Sequence, residues 1–210
     1  MRYSVLMKKT ILSIIIGLLF VNYISGQIVD TIIVKNAYIS YFSFELKAPI
    51  YNTYYLYKGG GDSKRTNFKH EYRSAENADY AKSGYDRGHL VSAEDFAYNQ
   101  SLENQTFSYY NCFPQNKKLN RGPWKSWEMK IREESQLWPL KIYVGGIYGN
   151  KKIKNSVAIP DYCWKVVYNQ KTHLILHVLI FKNDNSCETN RLTLEGLKQK
   201  LKTKIVFNSN

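Results

Sequence analysis

Residues 85–90 have the sequence Tyr85-Asp86-Arg87-Gly88-His89-Leu90, and three polar side chains follow within about 40 residues: Asn111, Asn120 and Glu128. A neutral imidazole accepts a proton near pH 7, so His89 is a candidate general base. Amide and carboxylate oxygens are ligands for hard cations such as Mg²⁺. The segment therefore combines a general base with candidate ligands for one divalent ion, which is the set needed to cleave a phosphodiester.

The residues around Glu128 predict a helix. Gly122-Pro123 opens it, because proline is favoured at the first helical position, and Pro139 ends it. Glu128 and Arg132 are four residues apart, on one helical face, where they can form an ion pair. The predicted apolar stripe of this helix consists of Trp124, Trp127, Ile131 and Leu137.

The rest of the chain is rich in strand-forming residues. Runs of Ile, Val, Tyr and Phe predict strands at residues 37–46, 51–57, 141–148, 156–159, 161–168 and 172–181. Residues 58–67 predict a loop, and residues 191–202 predict a second, modest helix. Many strands with two helices indicate an α+β fold.

The N-terminus has the pattern of a secretory signal. Lys8 and Lys9 precede an apolar run at residues 11–21, and small residues follow near position 26. The run is shorter than the roughly 20 residues of a membrane span, although an uncleaved anchor is the alternative. We expect residues 1–26 to be removed, with either Met1 or Met7 as the start. The mature domain, residues 27–210, would then be exported to the periplasm or the medium without a membrane attachment.

Composition favours a polyanionic partner. The chain has 30 Lys+Arg and 17 Asp+Glu, and removing Arg2, Lys8 and Lys9 leaves 27 against 17, a net charge near +10. A basic exported protein attracts polyanions, of which nucleic acid is the commonest large one. Anionic cell surfaces, or solubility alone, are alternative explanations.

The three cysteines do not indicate a zinc site, because no Cys/His spacing matches one. Cys163 and Cys187 flank a probable hairpin and could form a disulfide in an exported chain. Cys112 is interpreted as a small buried residue. His173 and His177 would face the same side of a strand, but no carboxylate or cysteine nearby completes a ligand set, so we interpret them as ordinary strand residues.

Several motifs together resemble one enzyme family. They are Tyr85-Asp86-Arg87-Gly88-His89-Leu90, Tyr110-Asn111-Cys112-Phe113-Pro114-Gln115, Leu119-Asn120-Arg121-Gly122, Trp124 and Glu128-x-x-x-Arg132. The pattern is similar to that of the DNA/RNA non-specific endonucleases of the ββα-metal (His-Me finger) superfamily, over most of the mature chain. The resemblance implies a mixed, mainly antiparallel sheet with a ββα-metal finger as the active site.

The resemblance also implies roles for individual residues. His89 would be the general base, Asn120 the direct ligand of Mg²⁺, and Glu128 would hold water bound to that ion. Mn²⁺ is the expected substitute for Mg²⁺. The remaining implied site residues are Asn111, which orients the active centre, Asp86, Arg87 and Arg132, which position the phosphate and the loop, and the upstream phosphate ligand Arg65.

The predicted function is an exported, Mg²⁺-dependent endonuclease that cuts DNA and RNA with little sequence preference, because backbone phosphates carry no base information. Its products would carry 5′-phosphates, by resemblance. The alternatives are a phosphodiesterase for small nucleotides, a catalytically weak nucleic-acid-binding member of the same fold, and a toxin delivered into competitors. No oligomeric state is predicted.

Overall fold

A computed structural model describes residues 27–209 of the chain. The predicted signal, residues 1–26, lies outside these described residues. Nine strands are present: β1 (Thr31–Val34), β2 (Ile39–Ser43), β3 (Ala48–Leu56), β4 (Asp86–His89), β5 (Cys112–Gln115), β6 (Leu140–Ile153), β7 (Val157–Asn169), β8 (Ile175–Lys182) and β9 (Thr189–Arg191). The α-helices are α1 (Asn77–Tyr80), α2 (Gln100–Thr106), α3 (Lys117–Leu119), α4 (Lys125–Ser135) and α5 (Leu194–Lys200).

Seven strands form one antiparallel sheet in the order β1-β2-β3-β6-β7-β8-β9, and β4 and β5 form a separate antiparallel pair. This arrangement confirms the predicted α+β class with its mainly antiparallel sheet. No helix within residues 27–209 is long and apolar enough to cross a membrane.

The large sheet is buried on both faces, because successive apolar side chains of its central strands point alternately into two cores. Val167 belongs to the core under α4, together with Trp124 and Ile131 of the helical segment. Val166, its neighbour in β7, belongs to the opposite core, which α5 covers with Leu197. Burial on both faces explains why β6 and β7 have nearly continuous apolar sequences.

The helix that carries Glu128, α4, differs from its predicted bounds at both ends. Its regular part begins at Lys125, after a wide turn, Asn120–Trp124, in which Gly122 departs from helical geometry (φ −110°, ψ −111°). Pro123 therefore follows a kink and does not open an isolated helix. The helix ends at Ser135, so Leu137 lies beyond it and is 70% exposed, which corrects its place in the apolar stripe.

Two predicted strands are in fact one. The predicted strand 156–159, from Val157 onward, and all of the predicted strand 161–168 fall within β7, which continues through Pro160. Pro160 pairs with Tyr148, where the register of β6 and β7 shifts, and a proline is tolerated at such an irregularity because the regular hydrogen-bond ladder is already interrupted there. The sequence does not predict the short elements β1, β9 and α1–α3, which have too few residues to show a clear period.

The disulfide that the sequence leaves open between Cys163 and Cys187 is not formed: Cys112, Cys163 and Cys187 are all free thiols. Cys163 is buried in β7 directly opposite Phe181 of β8. Cys187 lies beyond the end of β8, where its Sγ contacts the carbonyl oxygen of Asp184 at 3.4 Å. Cys112 is fully buried, as predicted.

Candidate active site

One cleft of about 1280 Å³ contains most of the predicted site residues. Seven of the eight line its wall: Arg65, Asp86, Arg87, His89, Asn120, Glu128 and Arg132. They come from the loop before α1, from β4, from the kinked turn and from α4. The cleft thus lies where the β4–β5 pair meets the helical segment, the strand-strand-helix order that the resemblance implies.

Strand pairing fixes the position of the motif. In the register of β4 and β5, Asp86 is opposite Gln115 and His89 is opposite Cys112. Gly88 must be glycine here, because a Cβ atom at this position would lie 2.4 Å from the Gln115 side-chain oxygen. The close approach lets the two short strands pair and places the His89 side chain at the cleft.

Asn111 is fully buried and lies behind the cleft rather than on its wall. Its Oδ1 accepts hydrogen bonds from Asn52 Nδ2 at 2.9 Å and from the Val91 N–H at 2.8 Å. Its Nδ2 donates to the carbonyl oxygens of Val91 and Thr106, both at 2.9 Å. These four bonds fasten the chain just after His89 to β3 and α2. Asn111 therefore supports the strand that carries the histidine.

His89 is held between aromatic rings. Its ring centroid lies 4.7 Å from that of Phe68 and 4.9 Å from that of Phe107. Within residues 27–209, its buried Nε2 has no hydrogen-bond partner. Burial, together with the positive charges of Arg65 and Arg87, lowers the pKa of His89 to about 3. The imidazole is therefore neutral at physiological pH, the form that can accept a proton.

Two guanidinium groups lie over the same two aromatic rings. Arg65 Cζ lies 5.8 Å from the Phe107 centroid, and Arg87 Cζ lies 5.2 Å from the Phe68 centroid. In the described part of the chain, no carboxylate lies within 4.0 Å of either guanidinium. Both positive charges are thus available to an anion. The structure also places Arg65 on the wall of the cleft, although no fixed spacing in the sequence links Arg65 to the motif at residues 85–90.

Asp86 holds the amide of Asn120. Asn120 Nδ2 donates to Asp86 Oδ2 at 3.0 Å, which leaves the amide oxygen for the cleft. Arg121 makes two further bonds to Asp86, from Nε and Nη2, each at 2.9 Å. Partial burial alone would raise the pKa of Asp86, but the hydrogen bonds from Arg121 and Asn120 outweigh it and lower that pKa. The sequence assigns no role to Arg121, although the residue belongs to the motif Leu119-Asn120-Arg121-Gly122.

Arg132 does not form the ion pair with Glu128 that helical spacing allows. Arg132 Nε donates to Asp95 Oδ1 at 3.0 Å, and its Nη2 donates to Ser92 Oγ at 3.2 Å. Asp95 is 2% exposed and also accepts a hydrogen bond from Tyr54 at 2.8 Å. A buried carboxylate needs a cation more than a partly exposed one does, so Asp95 is the partner of Arg132.

Glu128 has a different cation, which the sequence does not reveal. Lys165 Nζ of β7 lies 3.6 Å from Glu128 Oε1, and the side chains of the two residues are 1% and 14% exposed. The same ammonium lies 4.1 Å from the centroid of the Trp124 ring. Burial raises the pKa of Glu128 despite the opposing charge of Lys165.

The donor chemistry of the cleft suits a hard divalent ion. Asn120 and Glu128 present oxygen atoms, and Mg²⁺ is often held by one or two protein ligands with water in the other positions. Residues 27–209 contain no group of three or more His, Cys, Asp and Glu side chains that could hold a metal, so a zinc-type cage is not formed by them. His177 instead contacts both carboxylate oxygens of Glu134 at 2.8 Å, which supports its interpretation as a structural strand residue.

Comparison with known proteins agrees with this architecture. Mitochondrial endonuclease G of Homo sapiens is 32% identical over 130 residues, covering 52% of this chain and 43% of that protein. A nuclease of Nostoc sp. is 37% identical over 91 residues, covering 42% and 33%. The mitochondrial nuclease EXOG of Danio rerio is 33% identical over 112 residues, covering 47% and 33%. The chain therefore matches less than half the length of each of these relatives.

A solved structure shares the fold. The crystal structure of an EndoG/EndoGI complex contains a chain that matches with a TM-score of 0.69 and 21% identity, over 84% of this chain and 86% of that one. The family model of the DNA/RNA non-specific endonucleases matches residues 19–207, nearly the whole length of the sequence. This chain belongs to the DNA/RNA non-specific endonuclease family.

Proposed function

We propose that this protein is a metal-dependent endonuclease that hydrolyses phosphodiester bonds of DNA and RNA with little sequence preference. The observation that carries the proposal is a single cleft lined by a neutral histidine, two arginines without carboxylate partners in residues 27–209, and two oxygen ligands. Hydrolysis needs a base for the attacking water, positive charge at the phosphate and a cation for the developing negative charge. The cleft has a candidate for each requirement.

His89 is proposed as the general base. Its imidazole is neutral, it is supported from behind by Asn111, and the rings of Phe68 and Phe107 restrict its rotation. Arg65 and Arg87 would hold the phosphate beside it, since a guanidinium can donate two parallel hydrogen bonds to phosphate oxygens.

Asn120 is proposed to hold Mg²⁺ directly, with Glu128 holding one of the waters of that ion and Mn²⁺ as a substitute. Asp86 would keep the Asn120 amide oriented, and Arg132 would stabilise the helix face that carries Glu128 through Asp95. When bound, a divalent ion neutralises charge that builds on the phosphate oxygens. Products with 5′-phosphates are expected from membership of the family.

The form of the cleft favours a long polyanion over a small diester. Its volume of about 1280 Å³ exceeds the roughly 300–1,000 Å³ of typical small-molecule pockets. Contacts of its cations to backbone phosphates would carry no base information, which supports cleavage with little sequence preference. The small-nucleotide phosphodiesterase remains the second candidate, and equal rates on plasmid DNA and on bis(p-nitrophenyl) phosphate would favour it.

The decisive test is digestion of a supercoiled plasmid and of an RNA transcript by the purified chain, with Mg²⁺ and with a chelator. His89→Ala should lower turnover by about 10²–10⁴, the usual contribution of a general base, without changing the melting temperature by more than a few degrees. His173→Ala is the matched control, because this exposed histidine lies outside the cleft wall. Turnover of His89→Ala within about tenfold of wild type would exclude His89 as the base.

We further propose that residues 1–26 direct export and that residues 27–210 act as one domain in the periplasm or the medium. Lys8, Lys9 and the apolar run at residues 11–21 support this proposal. The similar proteins of Homo sapiens and Danio rerio are named mitochondrial, which makes localisation a direct question. N-terminal sequencing of the protein from each cell fraction answers it, and a retained N-terminus in the cytoplasmic fraction would contradict export.

A further inference from the structure

We propose that Lys165 is a positioning residue for this site: its ammonium group holds the Glu128 carboxylate in the orientation that supports binding of the divalent ion. The inference rests on the proposed function, because it assigns Lys165 a task in the same cleft. Lys165 does not line the cleft wall and so would act only through Glu128.

The location of Lys165 is costly for a lysine. It lies in β7, the strand between β6 and β8, and its cross-strand partners are Val144 and Leu179. Both partners belong to the apolar core under α4. An ammonium group that is 1% exposed among such neighbours loses its hydration and is tolerated only with a compensating charge.

The compensating charge comes from α4. Glu128 Oε1 lies 3.6 Å from Lys165 Nζ, the closest approach of the two charged groups. The Trp124 ring lies 4.1 Å from the same Nζ and forms another side of the ammonium site. The ion pair therefore anchors the carboxylate to the sheet, while the Glu128 side chain lines the cleft.

The neighbouring carboxylate, Asp95, has direct partners of its own, although the charge of Lys165 also opposes the rise that burial causes in the pKa of Asp95. Asp95 already has Arg132 Nε at 3.0 Å and the Tyr54 hydroxyl at 2.8 Å. For Glu128, in contrast, Lys165 is the cation within ion-pair distance among the described residues. Removing the ammonium should therefore release Glu128 and leave the Asp95–Arg132 pair in place.

The test measures the binding of Mn²⁺ to the purified chain in the absence of nucleic acid. Electron paramagnetic resonance reports the free and bound ion. Lys165→Met keeps the length of the side chain and removes its charge. We expect the dissociation constant of this variant for Mn²⁺ to rise about 10-fold, the lower end of the usual effect of losing an outer-shell partner, because Glu128 holds the ion through water. Lys141→Met is the matched control: Lys141 is a largely buried lysine of the same sheet whose Nζ donates to Asn208 at 2.7 Å, outside the cleft. The dissociation constant of Lys141→Met for Mn²⁺ should equal that of the wild-type chain.

A double-mutant cycle separates positioning from general damage to the fold. In a Glu128→Gln background, Lys165→Met should not weaken Mn²⁺ binding further, because no carboxylate remains to be held. The double variant should also melt at a higher temperature than Lys165→Met alone, since neither partner is then left buried with an uncompensated charge. If Lys165→Met alone does not fold, the Mn²⁺ affinities of Glu128→Gln and of the double variant decide the question: equal affinities support the role of Lys165, and a further loss in the double variant overturns it.

Two outcomes would overturn the inference while leaving the proposed function intact. One is wild-type Mn²⁺ affinity in Lys165→Met. The other is an equal loss of affinity from Lys165→Met with and without Glu128, which would show that the lysine does not act through that carboxylate. A wild-type chain that neither binds Mn²⁺ nor cleaves plasmid DNA would instead overturn the proposed function and, with it, this role.

Discussion

Substitution of Asp86 by alanine tests how Asn120, the proposed metal ligand, is held. In the wild-type cleft, Asp86 Oδ2 accepts a hydrogen bond from Asn120 Nδ2 at 3.0 Å, and the two Asp86 oxygens accept two more from Arg121. Asp86→Ala leaves the Asn120 amide free to rotate. Its oxygen would then face the cleft only part of the time, and the variant should require more metal for the same rate.

The expected size of the effect follows from the two contacts. A hydrogen bond to a charged group contributes about 1.5–3 kcal/mol. The Arg121 side chain is 68% exposed, so its ion pair with Asp86 contributes at most about 1 kcal/mol. The bond to Asn120 therefore dominates. Because about 1.4 kcal/mol corresponds to a factor of ten, we expect a rise of about 10- to 100-fold in the half-saturating Mg²⁺ concentration.

The assay is plasmid cleavage across a range of Mg²⁺ concentrations, with a thermal melt of each variant. Arg121→Ala is the matched control, because it removes the exposed ion pair and keeps the Asp86–Asn120 bond. Its half-saturating Mg²⁺ concentration should stay within about twofold of wild type, well below the change expected for Asp86→Ala. If both variants shift the metal requirement equally, or if neither does, Asp86 does not act by orienting Asn120.

Three further predictions concern the ion, the phosphate and pH. Asn120→Ala should abolish the wild-type response to Mg²⁺, and Glu128→Ala should weaken that response, whereas an unchanged titration in both would place the ion elsewhere. Arg65→Ala and Arg87→Ala should each weaken binding equally on two unrelated duplexes and one RNA and reduce the salt slope by about one, so a loss confined to one base sequence would contradict phosphate contact. His89 should make folding stability depend on pH. The native imidazole stays neutral down to its pKa of about 3, whereas the imidazole of the unfolded chain takes up a proton near pH 6.5. The free energy of unfolding should therefore fall as the pH drops from about 6.5 towards about 3. Urea unfolding of His89→Gln should show a smaller fall with pH, and identical slopes would contradict the low native pKa.

The sequence identifies the site because its central parts are local. Asp86, Gly88 and His89 occupy one short strand, and its partner strand, β5, carries the second motif. Each of the two paired strands is therefore recognisable as a short continuous motif in the sequence. The sequence also predicts that Asn120 lies just before the helix that carries Glu128, because a turn signal follows Asn120 and the apolar residues after the turn recur with a helical period. The β-rich composition likewise indicates an α+β fold, because strand preference is expressed residue by residue along the chain.

Tertiary structure alone decides which charges meet. Helical spacing predicts Glu128 as the partner of Arg132, but Asp95, from a different segment, takes that place because it is more deeply buried. Lys165, which is unremarkable within a strand sequence, becomes the partner of Glu128 once the sheet packs under α4. Spacing along a helix brings side chains within reach of one another, whereas the cost of desolvating each charge, set by packing between distant segments, determines the pairs that form.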